Sequence, residues 1–377
     1  MKYLILPFAA LLLFSCGENS DQSSAGNYAD ITISIDTVVV DSGEDILMAA
    51  VRPFGIVVNK EVTTLYNWDA ERTKLEIVDL DNLKLVKKVD FEKEGPNGVG
   101  VYAYQMHLLE NGQLAFIGGD RKIAITDLEG QVIKRIDYDE EWMKEGLEDT
   151  GSLSIIGFSK DGSKLYCRIS NFRKVNSDII ILDLENQTRE KLSLDEFDKR
   201  KNFSVFWSSL DNKSMSMFGP SLELTRWNNE LLFTTNALNS IYRYNPEDGS
   251  LSQEKYNNLL TANEKTGSYI NEVSNQEDIR EISSKIREEI TFSELQWDEE
   301  NQVFYRFSYF VLPKIADEKD KYRIFISILS SDFELIGEKE VTDITPRAPG
   351  GIFVKNGQIH SYINIDDELG FVRIKVN

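Results

Sequence analysis

The chain has 377 residues, with 63 Asp and Glu against 42 Lys and Arg, a formal charge of −21, two His and two Cys. Such acidity argues against nucleic acid or an anionic membrane surface as the main partner, because both demand basic patches. Apolar residues at 41% and aromatics at 11% suffice for one large core, and two histidines cannot build a three-histidine zinc site.

Met1 and Lys2 precede an apolar run from Tyr3 to Phe14 that ends at Ser15-Cys16-Gly17. A basic residue, a short apolar core and then small residues make a signal peptide over residues 1–15. The ending Leu13-Phe14-Ser15-Cys16 resembles a bacterial lipobox, although Phe14 is bulkier than the usual residue. Cys16 is then the lipidated first residue of a cell-envelope protein, an outer-membrane lipoprotein facing the periplasm or the cell surface. Residues 16–27 are polar and rich in Ser, Asn and Gly, the composition of a flexible tether. The folded domain spans 28–377. With Cys16 acylated, Cys167 has no disulfide partner and reads as a small buried hydrophobe.

Ile31 to Ile35 alternates and Thr37 to Val40 is β-branched, so the folded part opens on strand material. Turn signals then fall between apolar runs at Trp68-Asp69-Ala70, Asn111-Gly112, Asp161-Gly162, Asn228-Asn229, Glu300-Asn301 and Asn356-Gly357. The clearest unit is 154–194. Ser154 to Phe158 is a strand, Asp161-Gly162 makes a tight hairpin, and Leu165 to Ile169 returns. Ile179 to Leu182 is apolar throughout, as a strand covered on both faces is, and Thr188 to Leu194 alternates like an outer strand. Four antiparallel strands in about 40 residues is the size of a propeller blade. Six such units predict an all-β fold, a six-bladed β-propeller in one domain.

Asn275 to Ile290 breaks the pattern. Ile279, Ile282, Ile286 and Ile290 recur at spacings of three and four behind Asn275, which predicts one inserted, N-capped amphipathic helix over 275–290. The last unit, from Gly351, has material for three strands. An N-terminal strand, Ile33 to Val40, is expected to complete it, because closure leaves no edge unpaired.

Chemical motifs are sparse. The chain lacks a nucleophile elbow, a P-loop, a His-Glu-x-x-His and an EF-hand loop. Asp161 sits in a Phe-Ser-x-Asp-Gly-x-x-Leu hairpin similar to that of periplasmic propellers of the TolB type, which marks a fold and not a catalytic acid. Two Gly- and Pro-rich loops, Glu92 to Gly100 and Thr345 to Gly351, suit either a crossover between blades or a ligand-contacting rim. Arg226, Trp227, Arg306, Arg347 and His107 are the candidate lining of a funnel that would favour an anionic group. The competing reading pairs these arginines with surplus carboxylates and makes His107 and His360 ordinary strand residues. No cofactor is identified. Calcium is the one an acidic propeller would bind, in loops such as Asp41 to Asp45 or Asp366-Asp367-Glu368, though neither shows diagnostic ligand spacing.

The lipobox, Glu94-Gly95-Pro96-Asn97-Gly98, the helix leading into Ile290-Thr291-Phe292, and Trp297-Asp298-Glu299 followed by Phe304-Tyr305-Arg306-Phe307-Ser308 together resemble a family of Bacteroidetes lipoproteins, domain of unknown function 4221. The resemblance implies a propeller-like domain on an envelope lipoprotein and assigns no catalytic residue. Two functions follow as expectations. One is a lipid-anchored binding or scaffold module for a protein or extracellular ligand, with an envelope protein or a glycan as partner, anchored to the membrane by Cys16. The other is an envelope hydrolase or lyase using carboxylates on a polysaccharide.

Overall fold

The computed structural model describes residues 28–47, 55–103, 105–147, 151–171, 173–209, 213–314, 319–343, 350–366 and 368–377. Cys16, the tether and Arg347 lie outside the described residues. Strand β1 (Ile33–Val39) leads in. The first sheet follows as β2 (Ile56–Val58), β3 (Thr64–Asp69), β4 (Lys74–Asp79) and β5 (Lys84–Asp90). The second is β6 (Gln105–Leu108), β7 (Leu114–Ile117), β8 (Lys122–Thr126) and β9 (Val132–Asp137). A one-turn helix α1 (Glu141–Lys144) precedes the third, β10 (Gly151–Phe158), β11 (Lys164–Asn171), β12 (Ile179–Asp183) and β13 (Thr188–Leu192).

Strands β14 (Val205–Ser208) and β15 (Met215–Phe218) come next, and then the fourth sheet, β16 (Leu222–Trp227), β17 (Glu230–Thr235), β18 (Leu238–Tyr244) and β19 (Leu251–Glu254). Short β20 (Glu272–Val273) and helix α2 (Gln276–Arg287) lead to the fifth, in which β21 (Thr291–Phe292) and β22 (Gln296–Asp298) both pair with β23 (Val303–Val311), followed by β24 (Tyr322–Leu329) and β25 (Leu335–Glu340). The sixth contains β26 (Ile352–Lys355), β27 (Gln358–Ile365) and β28 (Glu368–Val376).

The N-terminal strand joins the last sheet as its fourth strand. β1 pairs antiparallel with β28 from Ile33 opposite Val376 to Val39 opposite Gly370. Backbone bonds between Thr32 and Asn377 extend the ladder to the last residue of the chain. The Asp36 carboxylate takes two hydrogen bonds from Arg373 across the same pair.

Core packing follows the chain order. Six apolar clusters of buried residues lie between sheets: first with second around Trp68 and Phe116, second with third around Ile125 and Leu165, and third with fourth around Tyr166 and Phe233. The fourth meets the fifth at Trp227 and Phe304, and the fifth meets the sixth at Tyr305 and Ile359. The remaining cluster joins Phe353, Leu369 and Phe371 of the sixth sheet to Leu65 and Val78 of the first. β12 is buried along its apolar run, as a strand covered on both faces should be, whereas β13 is mostly exposed and buries only Leu192 at its end, without the expected alternation.

One turn recurs four times. Asp79 Oδ1 accepts the N–H groups of Asp81 and Asn82 at 2.8 and 3.0 Å, and Leu83 then adopts φ +50°. Asp69, Asp183 and Asp298 make the same pair of bonds, with Thr73, Gln187 and Gln302 at positive φ. The carboxylate substitutes for a turn glycine by binding the exposed amides. Asp161 does similar work, accepting from the Ser163 N–H and from the hydroxyls of Ser159 and Ser163, which holds its pKa at about 2.

Three local features depart from the sequence pattern. The Trp68-Asp69-Ala70 signal marks the second hairpin of its sheet. The first hairpin, at 59–63, uses no glycine and is held by Asn59 Oδ1, which accepts from Thr63 and Thr64. A small extra sheet of β15, β14 and β20 has no counterpart among the six units. Helix α2 packs on it and is shorter than 275–290, beginning where Asn275 Oδ1 accepts the Asp278 N–H at 2.9 Å. Ile279 and Ile286 are buried, so the apolar stripe covers this sheet and the fourth.

Candidate functional site

The first strands of the sheets lie close to one another: β2 contacts β6, β10 contacts β16, and β22 contacts β26. On β6, Met106 and Leu108 turn to the first sheet, leaving Gln105 and His107 to face the third. Gln105 Nε2 donates to the Ile155 carbonyl at 3.1 Å and lies 2.9 Å from His107 Nε2. That arrangement makes Nε2 an acceptor and places the imidazole proton on Nδ1. The ring meets Phe158 edge-on at 5.2 Å. Burial, and then the charge of Arg226, lowers the His107 pKa to about 4.

β16 brings Arg226 to this group. Its Leu224 packs so closely on β10 that a Cβ on Gly157 would stand 2.5 Å from Leu224 Cδ2. The glycine permits that approach. Arg226 is open to solvent, yet enclosed enough that burial lowers its pKa against the opposing influence of Tyr166 and Glu110. Thus two expected residues, His107 and Arg226, are brought together.

The opposite face of β16 carries Glu223, Thr225 and Trp227 by strand alternation. Glu294 occupies the break between β21 and β22 and is exposed. Solvent reaches its side chain, yet the protein packed around the carboxyl desolvates it, and this, followed by the charge of Glu223, raises its pKa to about 7. A carboxyl group that changes protonation near neutral pH beside a second carboxylate is a candidate acid or base. No short motif marks either glutamate, and with 63 acidic residues in the chain only the fold could select them.

The other expected lining residues belong elsewhere. Trp227 is core: its ring lies 5.1 Å from Phe304, 5.4 Å from Trp297 and 5.7 Å from Phe333, between the fourth and fifth sheets. Arg306 is 1% exposed, so the expectation of a rim cation is corrected. Nε donates to Ser293 O at 2.9 Å, Nη1 to Asn239 O at 3.0 Å and to Tyr256 Oη, and Nη2 to Thr235 O at 3.0 Å and to Leu238 O. Its partners are therefore mainly carbonyls of the fourth sheet and not the carboxylates of the competing reading. The break between β21 and β22 that frees Ser293 O also exposes Glu294.

His360 is buried and stacked on Phe353 at 4.9 Å. Cys167 is buried, which pushes its thiol pKa well above the usual range. The 92–100 loop docks on the second sheet, with Arg135 donating to the carbonyls of Pro96 and Gly98 and Asn97 Oδ1 accepting the Val132 N–H. Those contacts suit a crossover. In the two loops considered for calcium, Asp41 Oδ1 is used by the Gly43 N–H, Asp45 pairs with Lys88 and Glu368 accepts from Ser42, while Asp367 lies outside the described residues. Among the described residues no group of three His, Cys, Asp or Glu is placed to hold a metal, and no helix is long and apolar enough to cross a membrane.

A family model described as a domain of unknown function (DUF4221) matches residues 27–340. The chain belongs to the DUF4221 family. A crystal structure of a DUF4221 member from Bacteroides vulgatus aligns with a TM-score of 0.64 at 14% identity, covering 93% of this chain and 99% of that one. A Bacteroides fragilis protein, named as a candidate exported protein, aligns at 0.51 and 8% identity over 92% and 95% of the two chains. At these identities the likeness establishes the fold of the DUF4221 chain and leaves its chemistry to its own residues. No curated protein matches it in sequence.

Proposed function

We propose that this DUF4221 protein is an envelope lipoprotein, anchored through Cys16, whose domain is a six-bladed β-propeller acting as a binding or scaffold module for a protein or glycan partner. The six inter-sheet clusters, one of them between the last sheet and the first, support the ring. Pairing of β1 with β28 supports its closure by the N-terminal strand. The exported naming of the Bacteroides fragilis relative agrees with the address.

One observation carries the binding reading: β16 holds solvent-open Arg226 on one face, close enough for its charge to act on His107, and Glu223 on the other, close enough to act on Glu294. Loops and strand ends around a propeller axis are where ligands are taken, and mixed charge favours a polar partner. The test is capture of partners from the native envelope by the lipidated chain and by its Arg226→Ala, Glu223→Gln variant. Loss of a specific partner in the variant is expected, and equal capture rejects this face. Cys16→Ala should release the protein from membranes, and unchanged retention rejects the anchor.

A second reading rests on the carboxylates. Glu294, protonated up to about pH 7 beside Glu223, has the character of a general acid in polysaccharide cleavage. Products from envelope or acidic polysaccharides that vanish in Glu294→Gln would support it. Equal product formation by that variant would remove it.

A further inference from the structure

A cleft of about 270 Å³ opens beside helix α2, lined by residues other than those of the β16 site. Phe218, Gly219 and Pro220 form one wall, Tyr309 and Tyr322 another, and Asn236, Thr291 and Arg287 line it between them. The chain carries 21 more acidic than basic residues, yet among the described residues Arg287 has no carboxylate partner. Its guanidinium instead lies over the Phe218 ring at 5.3 Å. Stacking of this kind holds the planar group in place and leaves its N–H edge free.

Three neighbouring side chains, Tyr309, Tyr322 and Asn236, also keep donors without partners among the described residues. Tyr309 and Tyr322 are half-buried with ring centroids 6.2 Å apart, and their hydroxyls make no hydrogen bond among the described residues. Asn236 spends its Oδ1 on the Ser221 N–H and keeps its amide N–H groups. Lys265, the second cation of the wall, is spent: Nζ donates to Ile286 O at 3.1 Å, Glu289 O at 3.3 Å and Thr291 Oγ1 at 3.0 Å. Those bonds occupy the carbonyls at the end of α2, whose partial negative charge would otherwise repel an anion. Asp320, the acidic residue of the lining, pairs with Lys314 at 2.8 Å.

We infer that this cleft is a binding site for an acidic sugar unit, a hexuronate ring at the end or side of a glycan, with its carboxylate on Arg287 and its ring and hydroxyls against Tyr309, Tyr322 and Asn236. The volume lies just below the roughly 300–1,000 Å³ of drug-sized ligand sites, which suits one ring. A bidentate guanidinium fits a carboxylate. Aromatic faces with a polar tip suit an oxygen-rich ring that is apolar on its own faces. The site uses none of the residues proposed for the β16 face, so either can fail alone.

The test is calorimetric or NMR titration of the full chain with trigalacturonate, with the neutral galactotriose and with inorganic phosphate. Binding of the uronate alone is expected, with at least a tenfold loss in Arg287→Ala, a smaller loss in Tyr309→Phe, and no change in Arg226→Ala. Arg287 is exposed and has no carboxylate partner among the described residues, so Arg287→Ala should keep the wild-type melting temperature. Arg287→Lys, which keeps charge but not the fork, should recover only part of the affinity. No uronate binding, equal binding by Arg287→Ala, or equal binding of galactotriose overturns the site. Phosphate competing as well as the uronate overturns recognition of the ring.

Discussion

Arg306 Nη1 donates to the Asn239 carbonyl at 3.0 Å, and through it the fifth sheet grips the turn between the second and third strands of the fourth. Three further carbonyls and the Tyr256 hydroxyl complete its set, and the Phe292 ring covers it at 5.0 Å. A buried cation is tolerable there because its N–H directions are matched by fixed acceptors. Each buried acceptor left without a donor costs about 1–3 kcal/mol. Arg306→Met should therefore lower unfolding stability by about 3 kcal/mol or more, and Arg306→Lys should recover little of it. Urea denaturation measures this, and a loss under about 1 kcal/mol would reject the clamp.

The N-terminal strand makes a second, separable prediction. β1 is mostly exposed on its outer faces but supplies the whole ladder to β28, so its worth lies in backbone pairing and in Tyr28 and Ile31, which pack on the fifth and sixth sheets. Deleting residues 28–40 should lower the melting temperature and leave β28 as an open edge prone to association. Arg373→Ala, which breaks only the exposed pair with Asp36, should cost under about 1 kcal/mol. A melting temperature unchanged by the deletion would count against closure by β1.

The recurrent Asp turn offers a local test. Asp183 accepts from the Glu185 and Asn186 amides and from Asn186 Nδ2, and exposed Gln187 follows at φ +50°. Asp183→Ala should destabilise by about 1 kcal/mol through loss of those bonds. Gln187→Gly relieves a left-handed conformation that costs a side-chain-bearing residue roughly 1–2 kcal/mol, offset in part by the entropy of glycine. A small net gain is expected in thermal unfolding, and a loss would show that the Gln187 side chain contributes more than its strain.

These turns also explain what was legible in the sequence. Asp79-Leu80-Asp81-Asn82-Leu83 and Asp183-Leu184-Glu185-Asn186-Gln187 share a pattern, so strand phase could be read from local chemistry. The Asn59 turn carried no such signal, because a β-branched Val62 stands at φ +53°. β20 was illegible for a different reason: it has two residues and pairs in parallel with β14, far back in the chain. At the site, His107 and Arg226 could be singled out by rarity and by neighbouring aromatics. Arg306 satisfied the same criterion and lies in the core, since sequence cannot tell an arginine facing water from one facing carbonyls.

The carboxylate pair makes the sharpest solution test. Glu294 has its pKa raised from 4.5 to about 7, so between those values the folded chain keeps a proton that the unfolded chain releases. Stability therefore falls as pH rises through that window, is unaffected by this group well below 4.5, and carries the full penalty above 7. Glu294→Gln has no proton to lose, so its melting temperature relative to wild type should be higher at pH 8 than at pH 4. Because burial outweighs Glu223 as the cause, Glu223→Gln should lower the Glu294 pKa only part of the way towards 4.5. Carbon-13 NMR titration of the Glu294 carboxyl reads that value directly. An unchanged midpoint in Glu223→Gln would mean that the two carboxylates do not share a site, and would remove the acid–base reading with it.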